Sequence, residues 1–292
     1  MPERITNTNQ DGAGADPLAL PPGQAVSVTA ADGARLEGFR AGPTGAPTIL
    51  LVHGAVVNGT FWAPVTSRLV AAGFDVVAID QRAHGRSERG RAPFTAATLA
   101  GDLRAWIDQL DPRDVVVVGH SMGCAAAMLH AIEPHERTRA VVLSGAMARA
   151  NKALALLAWL TMPLTHPRVL RRPRLGPFLI GALAGGSDAS PSLLEAVRAE
   201  FLRFDRQTLA ENNRMVGGFD VTAQLPSITA PVHVVAGERD RATPVRGQRA
   251  LAALIPGARL TVLSGCGHQV MFDAPDEVSR LIGEMAHTSG QA

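Results

Sequence analysis

Short apolar runs separated by longer stretches of helical length dominate the pattern of hydrophobic and polar positions along this chain. The runs are TILLVHG (48–54), DVVAID (75–80), DVVVVGH (114–120), AVVLSG (140–145), PVHVVAG (231–237) and RLTVLSG (259–265). Near-continuous Val, Ile and Leu residues over such lengths predict strands that are buried on both faces, as in a parallel sheet. Intervening segments such as 60–72, 95–110 and 121–133 predict helices, so the pattern indicates a βαβ series.

The start of the chain follows a different pattern. Residues 1–23 are polar and predict a mobile tail. Apolar and polar residues then alternate in Val26–Ala30 and Arg35–Phe39, on either side of Asp32-Gly33, which predicts a β-hairpin. The hairpin opens the predicted core, which comprises residues 24–145 and 223–287.

One interval interrupts the strand–helix alternation. Between the runs at 140–145 and 231–237 lie about 85 residues without a convincing strand. Helical patterns occur there at 152–160, 177–184, 191–204 and 206–216. We interpret residues 146–222 as a helical cap over the carboxyl edge of the sheet, where ligands bind in open α/β folds.

The stretch VVVVGHSMGC (115–124) sets a serine between a predicted strand and a predicted helix. Residues 119–123 of this stretch form the motif G-x-S-x-G. The motif is typical of a tight turn that holds a nucleophilic serine in a strained conformation, with glycines where side chains would not fit. The helix that begins there directs backbone N–H groups towards negative charge formed nearby. The sequence therefore predicts Ser121 as a catalytic nucleophile.

A serine hydroxyl is a weak nucleophile, so it needs a base, and the base needs an orienting group. Among the nine histidines, His268 in SGCGHQVMFDAP lies on a glycine-rich loop after the last predicted strand, from which it can reach over the serine. The loop VVAGERDRATP supplies Asp240 as the orienting carboxylate, whereas Glu238 lies nearer the strand and is interpreted as structural. The loop 145–151 contains no carboxylate, which removes the main alternative position.

An oxyanion hole needs two backbone donors. The residue after the nucleophile, Met122, is expected to supply one N–H group. The loop after LLVHG is expected to supply the other from Ala55, with Val56 as the alternative.

Composition narrows the class of protein. The chain of 292 residues has 46% hydrophobic and 18% charged residues and a net charge of +2, which favours a globular protein and gives no reason to expect nucleic acid as a partner. The two cysteines do not form a disulfide framework, and no basic segment followed by an apolar one is visible at the start, so we expect a cytoplasmic protein. No metal cluster or phosphate loop is apparent, so no metal and no cofactor are expected.

Taken together, LLVHGAVVNGTFW, DVVAIDQRAHGRS, VVVVGHSMG, VVAGERD and GCGHQVMF resemble, in this order, the α/β-hydrolase superfamily, above all its capped esterase and lipase-like branches, which include monoacylglycerol-lipase-like and carboxylesterase members. The resemblance covers roughly residues 25–285. It implies an α/β fold with a mostly parallel eight-stranded sheet, helices on both faces and a cap after the sixth strand. It also implies the triad Ser121–Asp240–His268 and the oxyanion donors Ala55 and Met122.

The residues at the predicted site narrow the range of reactions that the protein is expected to catalyse. Relatives that open epoxides or remove halides use aspartate where this chain has Ser121, and relatives that cleave carbon–carbon bonds carry tryptophan where it has Gln269. The favoured function is hydrolysis of a carboxylic ester with an apolar acyl or alcohol part through an acyl-Ser121 intermediate. Lactone, thioester or carbon–carbon hydrolysis, perhydrolysis and a non-enzymatic ligand receptor stay open as alternatives.

Apolar residues in the predicted cap and loops suggest where the substrate binds. The stretch ALALLAWLTMPL (153–164) is apolar on nearly every face, as expected of a helix that is buried or lines an apolar pocket. The predicted pocket residues are Val56, Val57, Trp62, Trp159, Leu160, Met162, Phe178 and Val270. Four arginines within 168–174 favour a solvated cap edge, with contact to an anionic membrane surface as the alternative. The oligomeric state is left open.

Overall fold

A computed structural model describes residues 16–133, 135–150, 169, 171, 172, 175, 179 and 191–287. Residues 1–15 of the predicted tail 1–23 and nearly all of the predicted cap helices at 152–160 and 177–184 therefore lie outside the described residues.

Eight strands form a single sheet, in the order β1-β2-β4-β3-β5-β6-β7-β8. They are β1 (Gln24–Thr29), β2 (Arg35–Ala41), β3 (Thr48–Val52), β4 (Asp75–Ile79), β5 (Val115–His120), β6 (Thr138–Ser144), β7 (Val232–Gly237) and β8 (Arg259–Leu263). The hairpin β1–β2 pairs antiparallel and joins β4 antiparallel, whereas β3 to β8 pair in parallel. The predicted hairpin and all six predicted strands are confirmed, but β8 is an edge strand that is only partly buried, so the prediction of burial on both faces is wrong for it.

Helices cover both faces of the sheet. The described α-helices are α1 (Ala63–Ala71), α2 (Ala96–Leu110), α3 (Gly123–Ile132), α4 (Pro191–Arg203), α5 (Arg206–Gly218), α6 (Val245–Leu254), α7 (Val270–Asp273) and α8 (Pro275–His287). Side chains of α2, α3 and α6 pack in the core on one face, and side chains of α1 and α8 pack in the core on the other.

Strand β3 shows why its sequence is continuously apolar. Leu50 and Val52 belong to the core on the α2–α3 face, whereas Ile49 and Leu51 belong to the core on the α1–α8 face. Because successive side chains of a strand point to opposite faces, a strand covered on both sides needs apolar residues at every position. The predicted α/β-hydrolase fold class is confirmed by this sheet and its helices.

The helices α4 and α5 follow β6 and precede β7, within the segment predicted as a cap. Leu193, Val197 and Phe201 of α4 pack against Val57 and Phe61, which follow β3. Met215 of α5 joins the core on the α2–α3 face. The described part of this segment thus covers the carboxyl ends of the central strands. No helix in the described part of the chain is long and apolar enough to cross a membrane.

Candidate active site

Ser121 occupies the turn between β5 and α3 in a conformation that residues other than glycine seldom adopt. Its φ is 51°, in the left-handed region. Its backbone N–H donates to the carbonyl of Ser144 at the end of β6, over 2.8 Å. Strain of this kind costs about 1–3 kcal/mol and persists only where surrounding structure imposes it.

The two glycines that flank Ser121 permit the close packing that imposes this turn. A Cβ on Gly119 would lie 2.9 Å from backbone atoms of Cys124, and a Cβ on Gly123 would lie 2.6 Å from the carbonyl oxygens of Val52 and His53. Real Cβ atoms do not approach backbone atoms so closely. Glycine at both positions is therefore a steric requirement, as the motif predicts.

His268 and Asp240 are hydrogen-bonded to each other. Nδ1 of His268 lies 2.9 Å from Oδ2 of Asp240, and both side chains are buried. Burial alone would raise the pKa of Asp240, but hydrogen bonds from His268 and Thr243 outweigh it and hold that pKa below the ordinary value. Asp240 is therefore an anion at neutral pH, which orients the imidazole with its Nδ1 proton towards the carboxylate.

Thr243 completes the surroundings of Asp240. Its backbone N–H donates to Oδ1 of Asp240 over 2.8 Å, and its hydroxyl donates to Oδ2 over 2.5 Å. Thr243 is not among the predicted site residues, although an aspartate side chain often accepts hydrogen bonds from backbone N–H groups two and three residues further along the chain. Glu238 instead accepts from the hydroxyl of Ser264 and the N–H of Gly265, in keeping with the structural role predicted for it.

The loop that carries His268 lies close to the serine turn. A Cβ on Gly145, which directly follows Ser144, would lie 2.9 Å from Cε1 of the His268 ring. Within the described residues the Ser121 hydroxyl makes no hydrogen bond to His268. Such bonds between nucleophile and base are often long before substrate binds and shorten in the complex.

The candidate oxyanion donors lie near Ser121, since Met122 follows it in the chain and a Cβ on Gly54, which precedes Ala55, would lie 3.2 Å from the Cβ of Ser121. Met122 precedes the first residue of α3, and among the described residues neither its N–H nor that of Ala55 donates to another group. Val56, the alternative donor, has a φ of 53°, which is unusual for a β-branched residue. The N–H groups of Met122 and Ala55 are therefore available to a ligand.

A cavity of about 50 Å³ opens beside Ser121. Four of the eight methionines in the chain line it, together with Phe219 and Val216 of the segment predicted as a cap. The four are Met122, Met128, Met147 and Met215. Methionine is flexible and polarisable, so such a wall adapts to apolar groups of different shapes.

None of the four predicted pocket residues that the structure describes lines this cavity. The structure places Trp62 and Val270 in the core on the α1–α8 face, at most 1% exposed, because the 3₁₀ turn Gly59–Trp62 and helix α7 direct them inward. Val57 and its half-buried neighbour Val56 pack against α4 instead. Trp159, Leu160, Met162 and Phe178 lie outside the described residues. No group of metal-ligating side chains occurs in the part of the chain that the structure describes.

Comparison with known proteins identifies the family to which this chain belongs. The profile of the alpha/beta hydrolase family matches residues 49–281. A 2-hydroxy-6-oxononadienedioate/2-hydroxy-6-oxononatrienedioate hydrolase of Cupriavidus pinatubonensis is 27% identical over 250 residues, which are 82% of this chain and 86% of that protein.

Two solved structures share the fold. An esterase from Exiguobacterium antarcticum has a TM-score of 0.80 at 19% identity, covering 90% of this chain and 99% of the esterase. An enol-lactonase from Burkholderia xenovorans has a TM-score of 0.76 at 24% identity, covering 89% and 99%. With its sheet, its strained serine turn and the family match over most of its length, this chain belongs to the alpha/beta hydrolase family.

Proposed function

We propose that this protein is a serine hydrolase that cleaves carboxylic esters with an apolar acyl or alcohol part through an acyl-Ser121 intermediate. The observation that carries the proposal is the buried Asp240–His268 hydrogen bond beside a serine held at positive φ. Binding a ligand requires neither the strain nor a buried carboxylate–imidazole pair. Nucleophilic catalysis requires both a positioned hydroxyl and an oriented base.

In the first half of the reaction, Oγ of Ser121 attacks the ester carbonyl carbon while Nε2 of His268 takes the hydroxyl proton. The carbonyl π electrons move to oxygen, and the N–H groups of Met122 and Ala55 stabilise that oxyanion. When the intermediate collapses, the carbon–oxygen bond to the alcohol breaks and the alkoxide receives the proton from His268.

In the second half, water replaces the alcohol. His268 takes a proton from water, the resulting hydroxide attacks the acyl-serine carbonyl, and collapse returns the proton to Oγ of Ser121 as the acid leaves. Asp240 stays ionised throughout and stabilises the imidazolium that forms twice in each cycle. The mechanism uses only residues of this chain and water.

The cavity supports an apolar substrate group. The apolar side chains of its lining are methionine, alanine, valine and phenylalanine, and burial of each methylene group of a substrate against them contributes about 0.8 kcal/mol. Arg149 also lines the cavity but is exposed. We therefore expect the ester to present its apolar part to the methionines.

A second candidate is hydrolysis of a hydroxy-oxo diacid on the same residues, which the 27% identity with the Cupriavidus hydrolase favours. Gln269 argues against it, because the resembling relatives that cleave carbon–carbon bonds carry tryptophan there. Arg149 offers a cation at the cavity that such a diacid could use.

Labelling by a fluorophosphonate probe tests the proposal. The wild-type protein should gain one adduct, and peptide mass mapping should place it on Ser121. Ser121→Ala should not be labelled, whereas Ser279→Ala, which removes a buried serine of α8, should be labelled like the wild type. Turnover of p-nitrophenyl esters of increasing acyl length, lactones, thioesters and a hydroxy-oxo diacid then ranks the substrates. If the folded wild-type protein neither reacts with the probe nor hydrolyses any ester, the proposal fails.

A further inference from the structure

His120 links the nucleophile to the base. It is the last residue of β5 and directly precedes Ser121, and its side chain is 2% exposed. Its Nε2 lies 3.0 Å from the backbone carbonyl oxygen of His268. The two imidazole rings are 4.8 Å apart between centroids and tilted by 49°. The strand that carries the nucleophile thus also touches the residue that carries the base.

The contacts of His120 determine where its proton lies. Burial and the nearby His268 lower the pKa of His120 to about 3, so the ring is neutral at physiological pH and carries one N–H group. A carbonyl oxygen only accepts, so that hydrogen is on Nε2 and donates to His268. Nδ1 faces Gly54, where a Cβ would lie only 2.9 Å away.

The ring of His120 has little freedom to move. Its plane meets that of Trp62 edge to face, with centroids 6.3 Å apart and an angle of 89°. The backbone of Gly54 closes a further side, next to the candidate oxyanion donor Ala55. A neutral donor fixed in this way defines the position of the carbonyl that it binds.

We propose that His120 is a positioning residue whose Nε2–H group holds the backbone of His268 at the height over Ser121 that proton transfer requires. This inference rests on the function proposed above and extends it by a residue that does not touch the reacting atoms. A base displaced by about 1 Å can lose on the order of 100-fold in rate.

Asp240 holds the ring of His268, and the other anchors of the base loop hold the backbone of residues before it. Glu238 accepts from the N–H of Gly265, the N–H of Arg239 donates to the carbonyl of Cys266, and Asp273 accepts from the N–H of Gly267. Among the described contacts, the bond from His120 is the one that holds the peptide group of His268 itself. Loss of this bond should therefore misplace the base without detaching the loop.

Four variants test the role of this N–H group. In His120→Gln the amide nitrogen reaches the position of Nε2 and can still donate. His120→Asn places its amide nearer the position of Nδ1, and His120→Phe keeps a ring but has no donor. His233→Phe is the matched control, because His233 is a buried histidine of β7 that contacts Thr261. Thermal unfolding and steady-state hydrolysis of a p-nitrophenyl ester are measured for each.

We expect His120→Phe to lower kcat by about 10- to 100-fold with KM changed less than about threefold, and His120→Gln to restore kcat to within about threefold of the wild type. His233→Phe should lower the melting temperature and leave kcat unchanged. If His120→Phe does not fold, a kcat in His120→Asn well below that in His120→Gln supports the proposal instead.

Three results overturn the inference while leaving the proposed function intact. They are an unchanged kcat in folded His120→Phe, an equal loss in His120→Gln and His120→Phe, and equal rates in the Asn and Gln variants when the Phe variant is unfolded. A wild-type protein that neither turns over the ester nor reacts with a fluorophosphonate overturns the proposed function, and the inference with it.

Discussion

The two loops that flank Ser121 are held in different ways. Polar contacts hold the base loop, residues 264–268, through Glu238, Asp273 and His120. The oxyanion loop, residues 54–57, contains a β-branched residue at positive φ and packs its Val57 against the apolar side chains of α4. The base loop is thus anchored by hydrogen bonds within the core, whereas the oxyanion loop combines a hydrogen bond, from His53 to the carbonyl of Gly54, with packing against a helix inserted between β6 and β7.

This difference separates the two tasks that we propose for the site, proton transfer and stabilisation of the oxyanion. Hydrogen bonds have narrow distance and angle requirements, so they suit a base whose ring must meet a hydroxyl. Apolar packing is less directional but holds a strained backbone as long as the contact persists. We expect changes in the core to affect proton transfer, and changes in α4 to affect stabilisation of the oxyanion.

Among the changes that test this comparison, the largest effect should come from loss of the carboxylate that orients the base. Asp240→Asn should lower kcat by roughly 10⁴-fold, because an amide favours the wrong tautomer of His268 and cannot stabilise its imidazolium. Glu238→Gln, which changes a nearby carboxylate of the same loop, should lower kcat far less. Steady-state kinetics on one soluble ester provide the measurement, and exchanged effects would identify Glu238 as the acid.

Acid should loosen both loops, since each is next to a buried neutral histidine. Burial lowers the pKa of His53, which donates to the carbonyl of Gly54, from 6.5 to about 4, and burial together with His268 lowers that of His120 to about 3. Because each pKa is lower in the folded protein than in the unfolded chain, the neutral rings contribute fully to stability above pH 6.5. This contribution is lost as the pH falls through the pKa of each histidine in the folded protein.

His53 should contribute roughly 3 kcal/mol and His120 roughly 5 kcal/mol to this loss. Urea unfolding at several pH values measures it, and His53→Gln should make the dependence between pH 6.5 and 4 less steep without abolishing it, because burial lowers the pKa of other histidines too. A free energy of unfolding that stays constant over this range contradicts the buried, neutral state of these rings.

Shortening a buried side chain of α4 should weaken the apolar contacts that hold the oxyanion loop. Phe201→Ala removes a buried ring from the cluster that holds Val57, so the oxyanion loop should loosen and kcat should fall by roughly 100-fold, comparable to loss of one oxyanion donor. Phe74→Ala on the opposite face is the control, because it removes a similarly buried ring far from Ser121. Equal kcat values in the two folded variants would show that the loop does not depend on α4.

The smallest effect should come from relief of the strain in the oxyanion loop. Val56→Gly replaces a β-branched residue at a φ of 53° by glycine, which adopts this conformation without strain. Relief of the strain should stabilise the fold by about 1 kcal/mol, which offsets the loss of a half-buried side chain. Its melting temperature should therefore stay near that of the wild type. Val57→Gly relieves no positive φ and empties the contact with α4, so it should melt lower. If both variants melt equally low, Val56 is not strained in solution.

Local patterns made much of the fold predictable. The continuous apolar runs specify strands buried on both faces, and Gly119 and Gly123 specify the serine turn, because these requirements act over a few residues. His268 and Asp240 were predicted because each follows a parallel strand, and parallel strands bring their carboxyl ends to one edge.

Contacts between distant segments were not predictable in the same way. Trp62 was expected in the pocket but lies in the core, since its apolar ring suits either place and only the packing of α1 and α8 decides. The positive φ of Val56 contradicts the preference of its own side chain, so no local pattern indicates it. The bond from His120 to His268 joins residues 148 apart in sequence and depends on the sheet order.

Hydrolysis by the Ser121→Ala variant tests the central claim most directly. Wild type and variant are compared on one p-nitrophenyl ester, with matching melting temperatures and circular dichroism spectra showing that both are folded. We predict that turnover falls by about 10⁶-fold and that the variant retains only the weak acceleration from the oxyanion hole and binding. Substantial turnover by the folded variant would contradict the assignment of Ser121 as the nucleophile.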